Sequence, residues 1–312
     1  MAQKPISLYK YLNFNENTLK LMCLLQAYYS DPANFNDPLD CKPKLKNDLS
    51  LDELKNTFTS IMLRKLEKQF SQSLKTLKFS GEKSDSRALQ LAHTEVSNII
   101  SHMEYNSTAP DINDKIEYLK MAYTSAIEKE IVNTFKTGVL CLSSKFDSPL
   151  MWSHYASKHQ GLCIEYDMSN IEDNSVYKVE YGGSRKILTS DIKDWLDNTN
   201  INNTNKLKQV CLLTKSEEWR YESEWRIFGR VGLGDSLPPI KSIIFGLKCD
   251  DVTIYTVMKA MVTKDRKLKF WKIYNEGDKF KLKRQRIHPD DYDNEGYLPY
   301  LYSSSEILAD LD

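Results

Sequence analysis

The sequence lacks the features that mark disulfide-rich, metal-binding and membrane-spanning proteins. Its six cysteines are scattered over 312 residues, without a C-x-x-C pair or a histidine at metal-ligand spacing. The first residues have no apolar segment of the kind a signal peptide contains. No apolar run approaches the ~20 residues that span a bilayer. We therefore expect a soluble cytoplasmic protein with reduced thiols, no bound metal and no membrane partner.

Neither sign of charge is in excess, because 43 Lys and Arg residues balance 43 Asp and Glu residues. A balanced chain has no global field that attracts nucleic acid or anionic lipid, but a neutral total does not exclude a local basic patch. Three nucleotide-binding and hydrolase signatures are also absent: the G-x-x-x-x-G-K-[ST] loop, the Rossmann G-x-G-x-x-G and the G-x-S-x-G elbow. Partners must therefore be inferred from local sites.

What is present is a mixture of helical and strand periodicities, which predicts an α+β fold. Residues 1–48 and 137–290 have the pattern of a catalytic α+β domain in two parts. Residues 49–136 carry apolar side chains every three or four positions, which predicts a helical insertion or subdomain. Residues 291–312 form an acidic C-terminal tail.

Several local predictions follow from turn and capping chemistry. Asn13, three residues before Glu16, is the expected N-cap of the first helix. The segment 81–86 is expected to break the helical tract, and the Asn-rich segment 197–205 to form a surface loop between helices. Residues 275–278 are expected to turn a hairpin.

The strongest concentration of polar chemistry is Trp219–Arg226. If this stretch is extended, Glu222 and Glu224 project to the same face because side chains alternate with a period of two. Close carboxylates repel, so the pKa of one rises unless a cation compensates. One acid could then accept a proton or hold a cation while the other binds a substrate hydroxyl. In the alternative, Arg220 and Arg226 pair with these acids across neighbouring strands. The aromatic residues between them indicate a partly dry pocket wall.

A second candidate site is a short predicted helix that carries two aromatic residues. Trp152 and Tyr155 are three positions apart, share a face and could clamp a nicotinamide or adenine ring. Packing of this helix on the sheet is the alternative. Cys163, in the apolar strand that follows, is expected to be a small buried side chain rather than a nucleophile.

Three further stretches could bind anions. Asn36 and Asp37 precede a proline and favour a fixed turn whose N–H groups could hold a pyrophosphate, with a purely structural turn as the alternative. Lys10, followed by Tyr11, could hold a phosphate or a ribose hydroxyl, although an exposed strand lysine is commoner. The stretch 279–286 alternates basic with apolar residues. It could give a strand one basic face for phosphate groups or a charged edge that discourages aggregation.

Four of these motifs, taken in order, resemble the bacterial family called domain of unknown function 2971. They are residues 8–11, 35–40, 151–156 with Gly161, and 219–226. The layout of that family is similar to ADP-ribosyltransferases, including the DNA-modifying toxin branch. The resemblance implies a mixed or antiparallel split sheet of the ADP-ribosyltransferase-like type, with a helical insertion.

The same resemblance implies NAD as a substrate. Glu224 would be the catalytic acid that stabilises the ribose cation as nicotinamide leaves, and Glu222 would orient the acceptor. Trp152 or Tyr155 would stack on nicotinamide, and Lys10 stands where transferases usually have Arg or His. Such proteins often act as toxins or antiphage effectors, so the resemblance also implies an antitoxin or a defence protein as a partner.

Three functional hypotheses follow. The first is an ADP-ribosyltransferase that modifies nucleic acid or protein. The second is an NAD glycohydrolase, with water as the acceptor. The third is a non-catalytic module that binds a nucleotide or a partner, with the two acids serving as salt-bridge partners.

Overall fold

The computed structural model describes residues 4–79, 81–198, 201–234, 238–262 and 268–293. Its helices are α1 Glu16–Leu24, α2 Leu51–Thr76, α3 Glu82–Asn106, α4 Lys115–Thr134, α5 Pro149–Tyr155, α6 Thr189–Asp197, α7 Ile201–Leu212, α8 Asp251–Met261 and α9 Pro289–Asp293. Its strands are β1 Ser7–Leu12, β2 Ala27–Tyr29, β3 Lys44–Lys46, β4 Gly138–Ser143, β5 Leu162–Asp167, β6 Val176–Lys178, β7 Glu180–Tyr181, β8 Lys186–Leu188, β9 Thr214–Lys215, β10 Glu224–Gly229, β11 Gly232–Gly234, β12 Ile240–Phe245, β13 Lys269–Asn275 and β14 Leu282–Ile287. The α+β class predicted from the periodicities is confirmed.

The chain forms two compact units. The first consists of Met1–Phe35, Thr137–Tyr181 and Ser216–Asp312, and the second of Asn36–Lys136 and Gly182–Lys215. Helices α2, α3 and α4 all belong to the second unit.

An eight-stranded mixed sheet is the centre of the first unit. Its strand order is β14-β13-β12-β5-β1-β4-β10-β6; β12 and β13 are parallel, and the other pairs are antiparallel. Strand β1 pairs with β5 over six residues, from Ser7 to Leu12. With β4 it pairs only at Tyr9 and Ser143. The β13–β14 hairpin turns close to its predicted position, with Gly277 at φ 60°.

The two faces of this sheet have different characters. One face carries Leu8, Leu142 and Trp225 and packs against apolar residues of α1 and α8. In α8 the buried residues recur at helical spacing: Ile254, Val257, Met258 and Met261. The other face carries alternate strand residues, among them Tyr9, Tyr11 and Cys163, and it packs against α5. Because polar side chains also project from this second face, it positions the candidate site.

The second unit is mainly helical. Helix α2 packs on α3 and α4, and it begins with a capping box in which Ser50 and Glu53 bind each other's backbone N–H groups. Its buried side chains recur at three- or four-residue spacing (Leu54, Phe58, Ile61, Met62), which explains why this tract was predictable. Strands β3 and β8 form a short parallel pair beside the helices.

Three local predictions were wrong in detail. The N-cap of α1 is Asn15, whose side chain accepts from the Thr18 N–H, rather than Asn13. Helix α3 begins at Glu82 behind Gly81 at φ 98°, so the predicted break at 81–86 is mostly helix. The predicted Asn-rich loop at 197–205 is largely α7 from Ile201 onward. The predicted acidic tail, residues 291–312, lies outside the described residues from position 294 onward.

Among the described residues, no helix combines the length and the apolar character that crossing a bilayer requires.

Candidate functional site

Glu222 and Glu224 do not lie on one strand, so the prediction that they share a strand face was wrong. Glu222 ends a 3₁₀ helix, Glu217–Glu222, and β10 begins at Glu224. Ser223 between them is left-handed, at φ 47° and ψ 49°. One left-handed residue breaks the period-two alternation on which the prediction rested. Ser144 secures the turn, because its N–H and hydroxyl donate to the Ser223 carbonyl at 3.0 Å and 3.2 Å.

Glu224 forms a buried two-pronged ion pair with Arg226. Arg226 Nε lies 2.8 Å from Glu224 Oε1, and Nη2 lies 3.1 Å from Oε2. The Arg226 side chain is fully buried, and its guanidinium lies 5.5 Å from the centre of the Phe35 ring. The alternative hypothesis of an acid–arginine pair is therefore correct for Glu224, although the pair forms along one strand. Arg220 instead pairs with the exposed Glu217.

Glu222 is also buried, at 3% exposure. Its Oε1 accepts a hydrogen bond of 2.5 Å from the Tyr155 hydroxyl, a length typical of an O–H donor on a charged oxygen. Its backbone carbonyl accepts from the Ser143 hydroxyl at 2.6 Å. Helix α5 and strand β4 therefore both fix the end of the 3₁₀ helix.

A row of four aromatic rings lies beside Glu222; we refer to Trp219, Tyr221, His154 and Tyr155 as the ring row. Successive ring centres are 6.0 Å, 6.0 Å and 6.2 Å apart. Such spacing is typical of interacting rings. Sequence reasoning identified the aromatic flanks but missed His154, whose place in the row depends on α5 packing against the 3₁₀ helix.

Trp152 and Tyr11 belong to the core rather than to this row. Trp152 is fully buried, its Nε1 donates to the Phe146 carbonyl at 2.7 Å, and its ring meets Tyr11 edge-on at 5.1 Å. The Tyr11 hydroxyl donates to the Lys145 carbonyl at 2.9 Å. Neither ring has the exposed face that stacking on nicotinamide requires. The core-packing alternative is therefore correct for Trp152, and only Tyr155 lies beside a candidate acid.

Lys10 lies where β1 and β4 separate. Its Nζ donates to the Cys141 carbonyl at 3.0 Å.

Burial, followed by the nearby Glu224 carboxylate, raises the pKa of the Cys141 thiol well above its usual value. Burial also raises the pKa of the Cys163 thiol. Both thiols therefore stay neutral, and Cys163 is the small buried side chain that was expected.

Asn36 and Asp37 lie in the second unit. Their side chains cap their own turn: Asn36 Oδ1 accepts from the Asp37 N–H at 3.1 Å, and Asp37 Oδ1 accepts from the Leu39 N–H at 2.8 Å. These two N–H groups therefore bind side chains of their own turn, as the structural-turn alternative expects. The pyrophosphate cradle stays a prediction.

Another buried carboxylate, Glu165 on β5, was missed by the sequence reasoning. It accepts from the hydroxyls of Ser242 at 2.6 Å and Ser7 at 2.8 Å, and it pairs with Arg284 at 2.8 Å and Lys241 at 3.1 Å. Burial acts to raise the pKa of Glu165, but these hydrogen bonds outweigh it and lower the pKa to about 2. The available signal was an acid in the middle of β5, which has a second acid, Asp167, as its last residue.

Residues 151–227 match the model of a family described as Protein of unknown function (DUF2971). This DUF2971 segment contains Tyr155, Glu222, Glu224 and Arg226. It therefore covers the whole ring row, the acid that is ion-paired with arginine and the acid that is hydrogen-bonded to tyrosine. No curated protein and no solved structure matches the chain.

Within the described ranges, no group of three or more His, Cys, Asp and Glu side chains is arranged to hold a metal ion.

Proposed function

We propose that the protein is an NAD-dependent ADP-ribosyltransferase-like enzyme that modifies a nucleic acid or a protein. The observation that carries the proposal is a buried carboxylate, Glu222, fixed by Tyr155 at the end of the ring row. The resemblance of four motifs to a family with a transferase-like layout supports the choice of NAD.

The ring row is suited to bind the flat nicotinamide ring. Tyr155 and Tyr221 are partly exposed and His154 is exposed, so a ligand ring could stack on them. When the bond between nicotinamide and ribose C1′ breaks, its electron pair leaves with nicotinamide and positive charge develops on the ribose. A fixed negative charge in a water-poor site stabilises that charge, an effect of several kcal/mol.

We assign this electrostatic role to Glu222, because Tyr155 of the ring row donates to its carboxylate, and a positioning role to Glu224, the reverse of what the resemblance implies. Arg226 neutralises Glu224 with two hydrogen bonds, and a neutralised carboxylate stabilises a nearby cation weakly. The ion pair instead fixes the first residues of β10, and with them Ser223 and Glu222. A nucleophilic oxygen or nitrogen of the acceptor then bonds to C1′, and its proton passes to a carboxylate of the site.

The test is incubation of the purified chain with NAD labelled in the adenine portion, alone, with total nucleic acid and with cell lysate. Label on a macromolecule supports the transferase. Free ADP-ribose with no labelled macromolecule indicates an NAD glycohydrolase. Intact NAD in all three reactions contradicts the proposed function.

One observation favours a second candidate, the non-catalytic binding module. The Glu224–Arg226 pair has the geometry of a structural ion pair, and two-pronged pairs of this kind stabilise many strands without any catalytic role. For that candidate, NAD stays intact while a nucleotide binds the chain. In that case Tyr221→Ala, which removes one ring of the ring row, weakens binding, whereas Glu222→Gln does not.

A further inference from the structure

The Glu165 cluster contains more donors than its carboxylate can accept. Five side chains direct a hydrogen bond or an ion pair to Glu165: Ser7, Tyr9, Lys241, Ser242 and Arg284. Two carboxylate oxygens offer about four lone-pair positions. Two of the donors, Lys241 and Arg284, are cations, and Lys241 also interacts with the nearby Asp167 carboxylate, so the charges of the cluster balance.

Arg284 is the donor with spare capacity. Its Nη1 binds Glu165 Oε2 at 2.8 Å, while its Nε and Nη2 donate to no group in the described part of the chain. Its Cζ lies 4.5 Å from the ring centre of Phe146 and 4.6 Å from that of Trp271. The side chain is 23% exposed. An ion pair and two rings therefore hold the guanidinium of a side chain that is partly exposed.

Trp271 contributes a second unsatisfied donor at the same place. Its indole Nε1 is buried and has no acceptor within the described residues, although buried polar groups nearly always have one. The residue lies on β13, directly paired with β14, and its ring contacts Arg284. An acceptor supplied from outside the protein would account for both unsatisfied donors.

We propose that Arg284 and Trp271 form a binding site for the phosphate group of a small phosphorylated ligand such as a nucleoside diphosphate. A phosphate has the oxygens to accept from both the remaining guanidinium N–H groups and the indole N–H, and its negative charge suits a guanidinium. The ion pair with Glu165 positions the guanidinium, and Phe146 keeps it beside Trp271. The basic strand predicted at 279–286 supplies this arginine, but the ring pair and Glu165 make the site.

The site does not depend on NAD cleavage, so it can be tested separately. Calorimetric titrations of the full chain use inorganic pyrophosphate, ADP and adenosine as probes. Arg284→Lys keeps the charge and a donor for Glu165 but removes the planar two-pronged edge. Arg230→Lys is the control, because Arg230 is an exposed arginine of the same unit that lies outside strands β13 and β14.

We expect pyrophosphate and ADP to bind the native chain and adenosine to bind at least tenfold more weakly. Arg284→Lys should raise the Kd for both phosphates by about tenfold, and Arg230→Lys should change it less than about twofold. Trp271→Phe, which keeps a ring but loses the N–H, should raise the Kd by about threefold to tenfold. If Arg284→Lys does not fold, the Kd of Trp271→Phe for the two phosphates tests the proposal instead.

Three outcomes would overturn the proposal. The native chain could bind neither pyrophosphate nor ADP. The two arginine variants could weaken binding equally, which would indicate a diffuse basic surface. A short oligothymidylate could bind while both small phosphates do not, which would assign the surface to nucleic acid. Binding of pyrophosphate together with inert NAD would uphold this site and contradict only the proposed function.

Discussion

The Tyr155 hydroxyl lies 2.5 Å from Glu222 Oε1, although the two residues are 67 positions apart in the chain. Tyr155 is the last residue of α5, and Glu222 is the last residue of the 3₁₀ helix that precedes β10. One short hydrogen bond therefore joins the two motifs of the DUF2971 segment that carry its aromatic and acidic residues. The contact gives a direct test of whether those motifs form one site.

Removing that hydroxyl should leave a buried carboxylate short of a donor. Tyr155→Phe should lower the free energy of unfolding by about 1–3 kcal/mol, because the desolvation cost of Glu222 is no longer offset. Urea unfolding monitored by tryptophan fluorescence measures this change in the free energy of unfolding. Tyr28→Phe, at a half-exposed tyrosine, is the control and should leave the stability within about 0.5 kcal/mol. Equal stability of native protein and Tyr155→Phe would contradict the contact.

The Glu224–Arg226 pair should be costly to break from one side. Arg226→Met should lower the free energy of unfolding by about 3–5 kcal/mol, because it leaves Glu224 buried without its cation. The double variant Glu224→Leu with Arg226→Met should recover much of this loss, since neither charge is then buried.

The control for this pair is Arg220→Met, which breaks the exposed contact with Glu217. Exposed pairs contribute about 0–1 kcal/mol, so its effect should be small. If the Arg226 and Arg220 variants lose the same stability in urea, the buried pair is not as described.

The left-handed Ser223 should tolerate glycine and reject a β-branched residue. Its φ of 47° lies in a region that glycine enters at no steric cost and valine enters only with strain. Ser223→Val should lower the free energy of unfolding by about 1–2 kcal/mol, and Ser223→Gly should change it by less than about 1 kcal/mol. Thermal unfolding of the two variants in parallel checks this. A valine variant as stable as the glycine variant would show that Glu222 and Glu224 are joined by extended backbone after all.

Glu165 should contribute stability that is lost in acid. The folded pKa, about 2, lies below the ordinary value of 4.5, so the contribution is fully present above pH 4.5 and disappears as the pH falls towards 2. Glu165→Gln should remove that part of the pH dependence, on the order of 2 kcal/mol between these limits. Denaturant titrations at several pH values measure it, with the exposed Glu172→Gln as control. A native chain whose pH dependence matches that of Glu165→Gln would contradict the cluster.

The sequence was sufficient for elements whose periodicity is strong. Helix α2 and the β13–β14 hairpin were predictable because buried residues recur at helical spacing in the first and a turn separates alternating strands in the second. The helix breaks were less predictable. Glu82–Ser86 looks polar and broken, yet it begins α3, because a helix with one buried face tolerates polar residues on all others.

The site was predictable in composition but not in geometry. Glu222 and Glu224 were identified from their aromatic surroundings, yet their relation is set by the conformation of Ser223, which no side-chain pattern encodes. Trp152 and Tyr155 look equivalent in the sequence, but packing of α5 buries the first and directs the second to Glu222. Glu165 and Arg284 are 119 positions apart, and only the pairing order of the sheet brings them together.

The central claim is that a carboxylate beside the ring row promotes loss of nicotinamide from NAD. The most direct test is the rate of nicotinamide release by the native chain, by Glu222→Gln and by Glu217→Gln, an exposed acid of the same 3₁₀ helix. We predict that Glu222→Gln lowers the rate by about 100-fold or more while the chain stays folded, and that Glu217→Gln keeps it within about twofold. Release of nicotinamide that is equally fast in all three proteins, or absent from all three, would contradict the account.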